Sequence, residues 1–500
     1  MGFDAERMPV VAGIGQAIER DTVTSVVELA ERASRAAAAD APGLLERVER
    51  LSFVAPSFSR ASHRPASELA ERLGLAGVAC EVSTAGGNNP QWLVNRACTE
   101  IAAGRLRSTL VCGAEATRSM RLAEPGADFL RVMAEGAGDA GGPPDPVVGT
   151  PLHGLLEQAE IKAGLLRPAD LYPVFESALA ARAGATPAAW RERLAAFLAR
   201  GAAVAAKNPF AWFREPWSPE AIATPGSDNR LTAEPYTKRM NSFAQVDLGS
   251  ALLVTSLAQA DALGLRERCT FVRAGATNVD VAPARRPDLA ASPAIRAAAR
   301  AMFAAAGIGL DDVDCFDLYS CFPVAVEVGA AEIGLALDDP RGLTLTGGMS
   351  FFGGPGNNYT SHGIAAACLR LREGGGIAYV SGNGGFLSKH SLGIYAARPR
   401  EDGPAFVLAE TAREQAAIDA AAREVALEAE GRARVDGSTV VYGRDGRVEA
   451  APIIATLEDG RRVAARAEEA LLPALAGRFL VGETVRVRGA GPPVYALASD

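Results

Sequence analysis

Val10-Val11-Ala12-Gly13-Ile14-Gly15 is a short apolar run punctuated by glycine, and a long Ala-rich helical stretch follows it to about Ala39. A strand feeding a helix in this way is the opening of a layered α/β arrangement. The pattern recurs at Leu51 to Ala55, Val78 to Val82 and Ser108-Thr-Leu-Val-Cys-Gly113, with a helix from Gln91 to Gly104 between the last two. From about Arg118 to Pro235 the texture changes to helices, prolines and clustered aromatics, as in Pro209-Phe-Ala-Trp-Phe-Arg-Glu-Pro-Trp217, which predicts a strand-poor insertion. The runs Ser250 to Ser256, Thr270-Phe-Val-Arg, Val313 to Leu318 and Gly376 to Ser381 restore the alternation, so a second α/β unit is expected over roughly 250 to 398. The shared texture suggests a duplication, although the two units do not align by eye. Beyond the linker-like Arg398-Pro-Arg-Glu-Asp-Gly-Pro404, a charged helix and short strands with Gly turns predict a small β-rich barrel or open roll.

Five hundred residues exceed what one hydrophobic core usually serves. With 51 Lys plus Arg against 59 Asp plus Glu, a net charge of −8 and no basic block, no nucleic-acid partner is expected. No apolar run approaches the length that spans a bilayer, and Met1-Gly-Phe-Asp-Ala-Glu-Arg7 lacks a signal design, so a soluble cytoplasmic protein is expected. The seven Cys form no Cys-x-x-Cys pair, and the four His (63, 153, 362 and 390) share no i, i+4 spacing. Neither a disulfide framework nor a metal site is expected.

At Lys207-Asn-Pro-Phe-Ala-Trp-Phe213, Asp228-Asn-Arg-Leu-Thr-Ala-Glu-Pro-Tyr-Thr-Lys-Arg-Met-Asn241 and Val246-Asp-Leu-Gly-Ser-Ala-Leu252 the sequence resembles the thiolase superfamily, nearest its sterol-carrier-type, thiolase-like branch of type 1 with an additional C-terminal domain. The resemblance runs from about Val10 to Pro399. It implies a five-layered α/β thiolase fold of two βαβαβ-type halves: residues 1–117 with 236–257, and 258–399. A helical loop domain, 118–235, is inserted in the first, and a small β-rich, OB-like domain follows over 400–500. It also implies an acyl-CoA ligand and Claisen chemistry through a nucleophilic Cys. A homodimer, and a partner enzyme of lipid or sterol degradation, are the partners it suggests.

Residue by residue, the family's catalytic pattern is not matched. The nucleophile's position falls on Gly87, in Ser83-Thr-Ala-Gly-Gly-Asn-Asn-Pro90, and Cys80 and Cys98 are read as core residues. Asn88 or Asn89 is expected to cap the helix that follows, with Pro90 near its first position. The family's oxyanion motif reads Asp317-Leu-Tyr-Ser-Cys-Phe-Pro323, which puts Tyr319 at the donor. The Gly-His-Pro motif reads Gly353-Gly354-Pro355, and the second Cys is replaced by Ser381. Ordinary thiolysis is therefore not expected. Gly87, Gly354, Gly356 and Gly384 should leave space, and Asn88, Asn89, Asn357, Asn358, Asn383 and Tyr359 should supply hydrogen-bonding groups, as in a rebuilt pocket.

Candidate catalytic groups are Tyr319 as oxyanion donor, Ser381, and His362 or His390 as general base. Candidate groups for the CoA tail are Arg230, Tyr236, Lys238 and Ser242. No cofactor beyond a CoA thioester, as substrate or ligand, is implied. Two functions stay open: an acyl-CoA enzyme without a covalent Cys intermediate, acting as acyltransferase or as a retro-aldolase-like lyase on β-hydroxyacyl-CoA, and a non-catalytic acyl-CoA-binding protein.

Overall fold

The computed structural model describes residues 4–126, 131–132, 135–136, 138–139, 141–150, 155–400, 403–489 and 491–498. His153 lies outside the described residues.

The first half contains strands β1 (Pro9–Ile18), β2 (Arg50–Val54), β3 (Ala79–Ser83) and β4 (Ser108–Ala116), with helices α1 (Val26–Asp40), α2 (Pro65–Leu73) and α3 (Asn89–Ala102) between them. Ser25 opens α1 with a reciprocal capping box to Glu28. The glycines of β1 matter for packing: a Cβ at Gly15 would overlap the Ala33 carbonyl of α1. Only glycine lets helix and strand approach that closely. The inserted region adds β5 (Val147–Val148), α4 (Pro168–Arg182), α5 (Pro187–Ala205), β6 (Leu231–Ala233) and β7 (Tyr236–Thr237) before β8 (Asp247–Ser256) returns to the first half. The second half comprises β9 (Thr270–Val279), α6 (Pro293–Ala306), β10 (Cys315–Asp317), α7 (Pro323–Ile333), α8 (Tyr359–Gly374), β11 (Ile377–Gly384) and β12 (Lys389–Ala396), and β13 (Val407–Leu408) pairs beside β9.

The duplication guessed from texture is present in the topology. In the first half β2 pairs parallel with β4, β4 antiparallel with β8, and β8 antiparallel with β1. In the second half β10, β11, β12 and β9 repeat that order and those directions. A short β1–β9 pairing, Val10 with Phe271 and Val11 with Thr270, joins the halves into one eleven-stranded sheet. Three apolar cores separate the layers: one under α1 and α2, one around α3 and α8 between the sheet halves, and one under α6 and α7. These are the five layers that the resemblance implies. One detail differs, because the expected strand-poor insertion contributes β5, which pairs with the edge strand β3.

The C-terminal region contains β14 (Val425–Ala426), β15 (Gly431–Ser438), β16 (Val441–Tyr442), β17 (Val448–Ala450), β18 (Ile453–Leu457), β19 (Arg462–Ala467), β20 (Thr484–Arg488) and β21 (Val494–Leu497). The order β14-β19-β18-β15-β20-β21 is closed by a β19–β21 pairing, so the structure is a barrel rather than an open roll. Its interior is the alternate set Ala433, Val435, Ile453, Ala455, Val463, Val485 and Val487. The barrel is docked on the inserted region. Strand β16 pairs with β6, and Ser438 N donates to Ser177 Oγ on α4 at 2.9 Å. The buried Arg462 donates to the Arg286 carbonyl at 2.9 Å and to that of Pro287 at 3.1 Å, while facing Asp436. Among the described residues no helix is long and apolar enough to cross a membrane, and no group of three His, Cys, Asp or Glu could hold a metal ion.

Candidate functional site

The loops that should hold the chemistry meet where α3 and α8 begin, between the two halves. Gly87 precedes α3. A Cβ added there would lie 2.5 Å from Tyr319 Cζ, 2.6 Å from the Asn383 carbonyl, and closer still to Tyr319 Oη. The phenol from the second half fills the place that the resemblance gives to a nucleophile's side chain. Tyr319 is held there by an edge contact with the Tyr359 ring at 5.6 Å and by its own N–H donating to Ser381 Oγ at 3.0 Å. Burial, with Cys321 and Tyr359 beside it, pushes the phenol well above its ordinary pKa. It is a neutral donor and not a proton shuttle.

The expectation of empty space around the glycines is overturned at all four positions. A Cβ at Gly354 would overlap Ser242 Oγ, one at Gly356 the Glu115 carboxylate, and one at Gly384 the Asn88 side chain. The space beside these glycines is taken by side chains from elsewhere in the chain, as close packing requires. Beside Tyr319, Ser381, Asn383 and His390, and against Ile295 of α6 and Ala325 and Gly329 of α7, lies a cavity of about 10 Å³, the room of roughly one water, and none of the four glycines lines it.

The asparagines serve the loops themselves. Asn357 Nδ2 donates to the Ala55 carbonyl and to Ser57 Oγ, both at 2.6 Å, and its Oδ1 accepts from Gly86 N at 2.8 Å. Asn358 Nδ2 donates to the Gly113 carbonyl at 2.7 Å. Asn383 Nδ2 reaches Tyr172 Oη at 3.2 Å. Neither Asn88 nor Asn89 caps α3 through its side chain, a correction to the expected cap: Asn88 Nδ2 donates to Ser391 Oγ at 3.3 Å, and Asn89 Nδ2 to the Thr84 carbonyl. Pro90 does stand in the first turn. Among the described residues the Oδ1 atoms of Asn88, Asn89 and Asn383 are buried without a partner.

The two histidines do not converge on one point. His362, on α8, is fully buried with Nδ1 2.7 Å from Gln16 Oε1 and Nε2 unpartnered, and burial lowers it to about 3. It is a poor base near neutrality. His390, on β12, has Nε2 3.2 Å from Asp280 Oδ2 and 3.4 Å from Ser292 Oγ. That Asp280 carboxyl lies below its ordinary value: burial opposes the shift, and the His390 hydrogen bond and the nearby Arg286 outweigh it.

Of the groups proposed for the CoA tail, only Lys238 is exposed. Tyr236 is buried and donates to Glu176, Arg230 Nη1 donates to the carbonyls of Leu231 and Tyr442, and Ser242 sits behind Gly354. The cysteines read as core residues include Cys98, fully buried with its thiol pushed up by burial; Cys80 is half-buried with a thiol raised for the same reason. Cys321, nearest the site, is raised to about 12, chiefly by burial.

Lys389 and Glu115 escaped the sequence reading. Lys389 is buried, donates from Nζ to the carbonyls of Ala85 and Thr150, and is pulled down to about 8 by burial. Its place at the end of β12, against the Gly86 loop, is set by pairing between distant strands and leaves no local signature. Glu115, at the end of β4, accepts from Ser57 N at 2.6 Å and is pushed up to about 7, because burial outweighs its hydrogen bonds.

Glu115 makes a pH prediction. Its folded pKa stands above the unfolded value, so the native state holds a proton that the unfolded chain has released. The contribution is full below about pH 4.5 and is lost as pH rises to about 7. In urea unfolding at pH 5, 6 and 7, the wild type should lose roughly 1 kcal/mol per pH unit relative to Glu115→Gln. Parallel pH profiles would refute it.

A family model described as the thiolase-like protein type 1 additional C-terminal domain matches residues 414–492. Among solved structures, the chain is similar to a monomeric SCP2-thiolase like protein type 1 from Mycobacterium smegmatis at 33% identity, covering 99% of this chain and 100% of that one, with a TM-score of 0.83. It also shares its fold with an Ltp2-ChsH2(DUF35) aldolase (20% identity, 79% of this chain and 99% of that one, TM-score 0.59). A third is an acetyl-CoA acetyltransferase from Syntrophomonas wolfei (16%, 78% and 99%, TM-score 0.55). No curated protein matches. A fold built of two equivalent halves, an inserted region and a docked barrel, matched over nearly its whole length at this identity, makes the chain a member of the SCP2-thiolase-like proteins of type 1, within the thiolase superfamily.

Proposed function

We propose that this chain is a non-catalytic acyl-CoA-binding protein: a thiolase-like member in which the covalent acyl step is absent. One observation carries the reading, the phenol of Tyr319 standing where a side chain at residue 87 would have to be. An acyl-enzyme needs a nucleophile there, an activating base at residue 354 and room for the thioester carbon. Gly87 and Gly354 carry neither group, and Tyr319 and Ser242 occupy the space beside them. Lys238, exposed on the inserted region, is the cation left to meet a CoA phosphate.

The lyase reading draws on the Tyr319 phenol beside Gly87 and on the fold shared with an aldolase assembly. Retro-aldol cleavage needs a base at the β-hydroxyl, and a phenol raised by burial does not become that base. The homodimer expectation is not carried forward, because the relative matched over its full length is described as monomeric.

Calorimetric titration with CoA and acetyl-CoA, alongside thiolysis and β-hydroxyacyl-CoA cleavage assays, tests the proposal. Binding without turnover is expected, weakened about threefold to tenfold in Lys238→Ala by the loss of one charge-assisted contact. Turnover that disappears in Tyr319→Phe would establish the lyase instead. Absence of binding would defeat both readings.

A further inference from the structure

We infer that the outer face of the C-terminal barrel carries a binding groove for a small phosphorylated ligand, separate from the buried loops between the two halves. The groove has a volume of about 380 Å³ and lies across β15 and β18, with Arg423, Arg432 and Arg434 on its walls. Arg432 and Arg434 are alternate, exposed residues of β15, and Arg432 stands directly opposite the exposed Arg486 of β20 in the antiparallel register. Like charges in directly opposed positions are destabilising, because the side chains lie about 5 Å apart at Cβ. None of these four guanidinium groups has an ion pair or side-chain hydrogen bond among the described residues, whereas many other arginines of the chain are paired.

The groove's two acids do not cancel this charge. Asp436 is taken by the buried Arg462 and by Thr456 Oγ1, which donates to it at 2.6 Å, and that leaves Glu458 against three arginines. A multivalent anion bound by arginine forks relieves the repulsion and satisfies the donors together.

The size and lining identify the ligand class. The volume falls in the range of small-molecule sites. None of the lining residues is aromatic, so there is no platform for stacked bases, the feature on which single-strand binding relies. The phosphates, rather than a base or a strand, are the recognised element.

Isothermal titration of the full chain with inorganic pyrophosphate at low salt tests this. Saturable one-to-one binding is expected, weakening as salt rises. It should be at least tenfold weaker in Arg432→Gln/Arg434→Gln, whose exposed side chains leave the thermal midpoint unchanged or higher. Lys238→Ala should bind pyrophosphate as the wild type does, which separates this groove from the acyl-CoA reading. No saturable binding in the millimolar range, equal binding by the double variant, or a single-stranded oligonucleotide that binds where pyrophosphate fails would each overturn the inference.

Discussion

Gly87→Cys, which puts a thiol at the position that the resemblance gives to the family's nucleophile, is expected to destabilise the protein by about 3 kcal/mol and to bring no acyl transfer. The new Cβ would lie 2.5 Å from Tyr319 Cζ, and the ring cannot retreat freely because Tyr359 stands edge-on to it. Tyr319→Ala alone should cost about 3–5 kcal/mol through the cavity it leaves. If the two residues compete for one space, the double variant is less destabilised than the sum of the singles, by about 2 kcal/mol or more. Urea unfolding of the four proteins measures this coupling. An acyl probe with mass detection measures the chemistry: no acyl group should form on the introduced thiol in the double variant, because Ser242 fills the place that the resemblance gives to the base that would take the thiol's proton. A Gly87→Cys protein that unfolds like the wild type, or that becomes acylated and turns over, would contradict the closed site.

Glu176→Ala should be comparably destabilising, about 3 kcal/mol, because Glu176 is fully buried on α4 and accepts from Trp190 Nε1 at 2.6 Å and from Tyr236 Oη. Removing it leaves two buried donors unpaired. Glu327→Gln, in contrast, should be close to neutral at pH 5. Glu327, on α7, faces the same carboxylate, with Arg193 3.5 Å away. Burial first, and then the Glu176 charge, raise it well above the ordinary carboxyl range, so Glu327 keeps its proton in the native state. A raised folded pKa gives stability that is present below about pH 4.5 and is lost as pH rises. A glutamine keeps a neutral donor and does not titrate. The melting temperature of Glu327→Gln should therefore gain on the wild type steadily from pH 5 to pH 9. A constant difference would show that Glu327 is ionised throughout.

The layered α/β order, the inserted region, the second unit and the C-terminal β-rich domain were legible because they rest on local periodicity and turn residues. Val10 to Gly15 and Ser250 to Ser256 behave in the fold as they read in the chain, as adjacent strands β1 and β8. The family was legible from three ordered motifs around the inserted region. The texture hinted at duplication, but the repeated strand order appears only in the pairing. The barrel's closure likewise depends on β19 meeting β21, a contact that no local pattern encodes.

The candidate site was half legible. Counting along the motifs placed glycines at residues 87 and 354, and glycine in the sequence is ambiguous between an opening and a close approach. The fold resolves that ambiguity through residues distant in the chain, Tyr319 against Gly87 and Ser242 against Gly354. The same holds for charge. Lys389 and Glu115 carry no mark in the sequence, and burial moves their proton affinities.

The amino-acid order by itself therefore determined the layers, the insertion, the appended domain and the glycines at residues 87 and 354. The tertiary structure decided that the space beside those glycines is filled rather than open, because side-chain volume and desolvation are set by neighbours that meet only when the two halves close together.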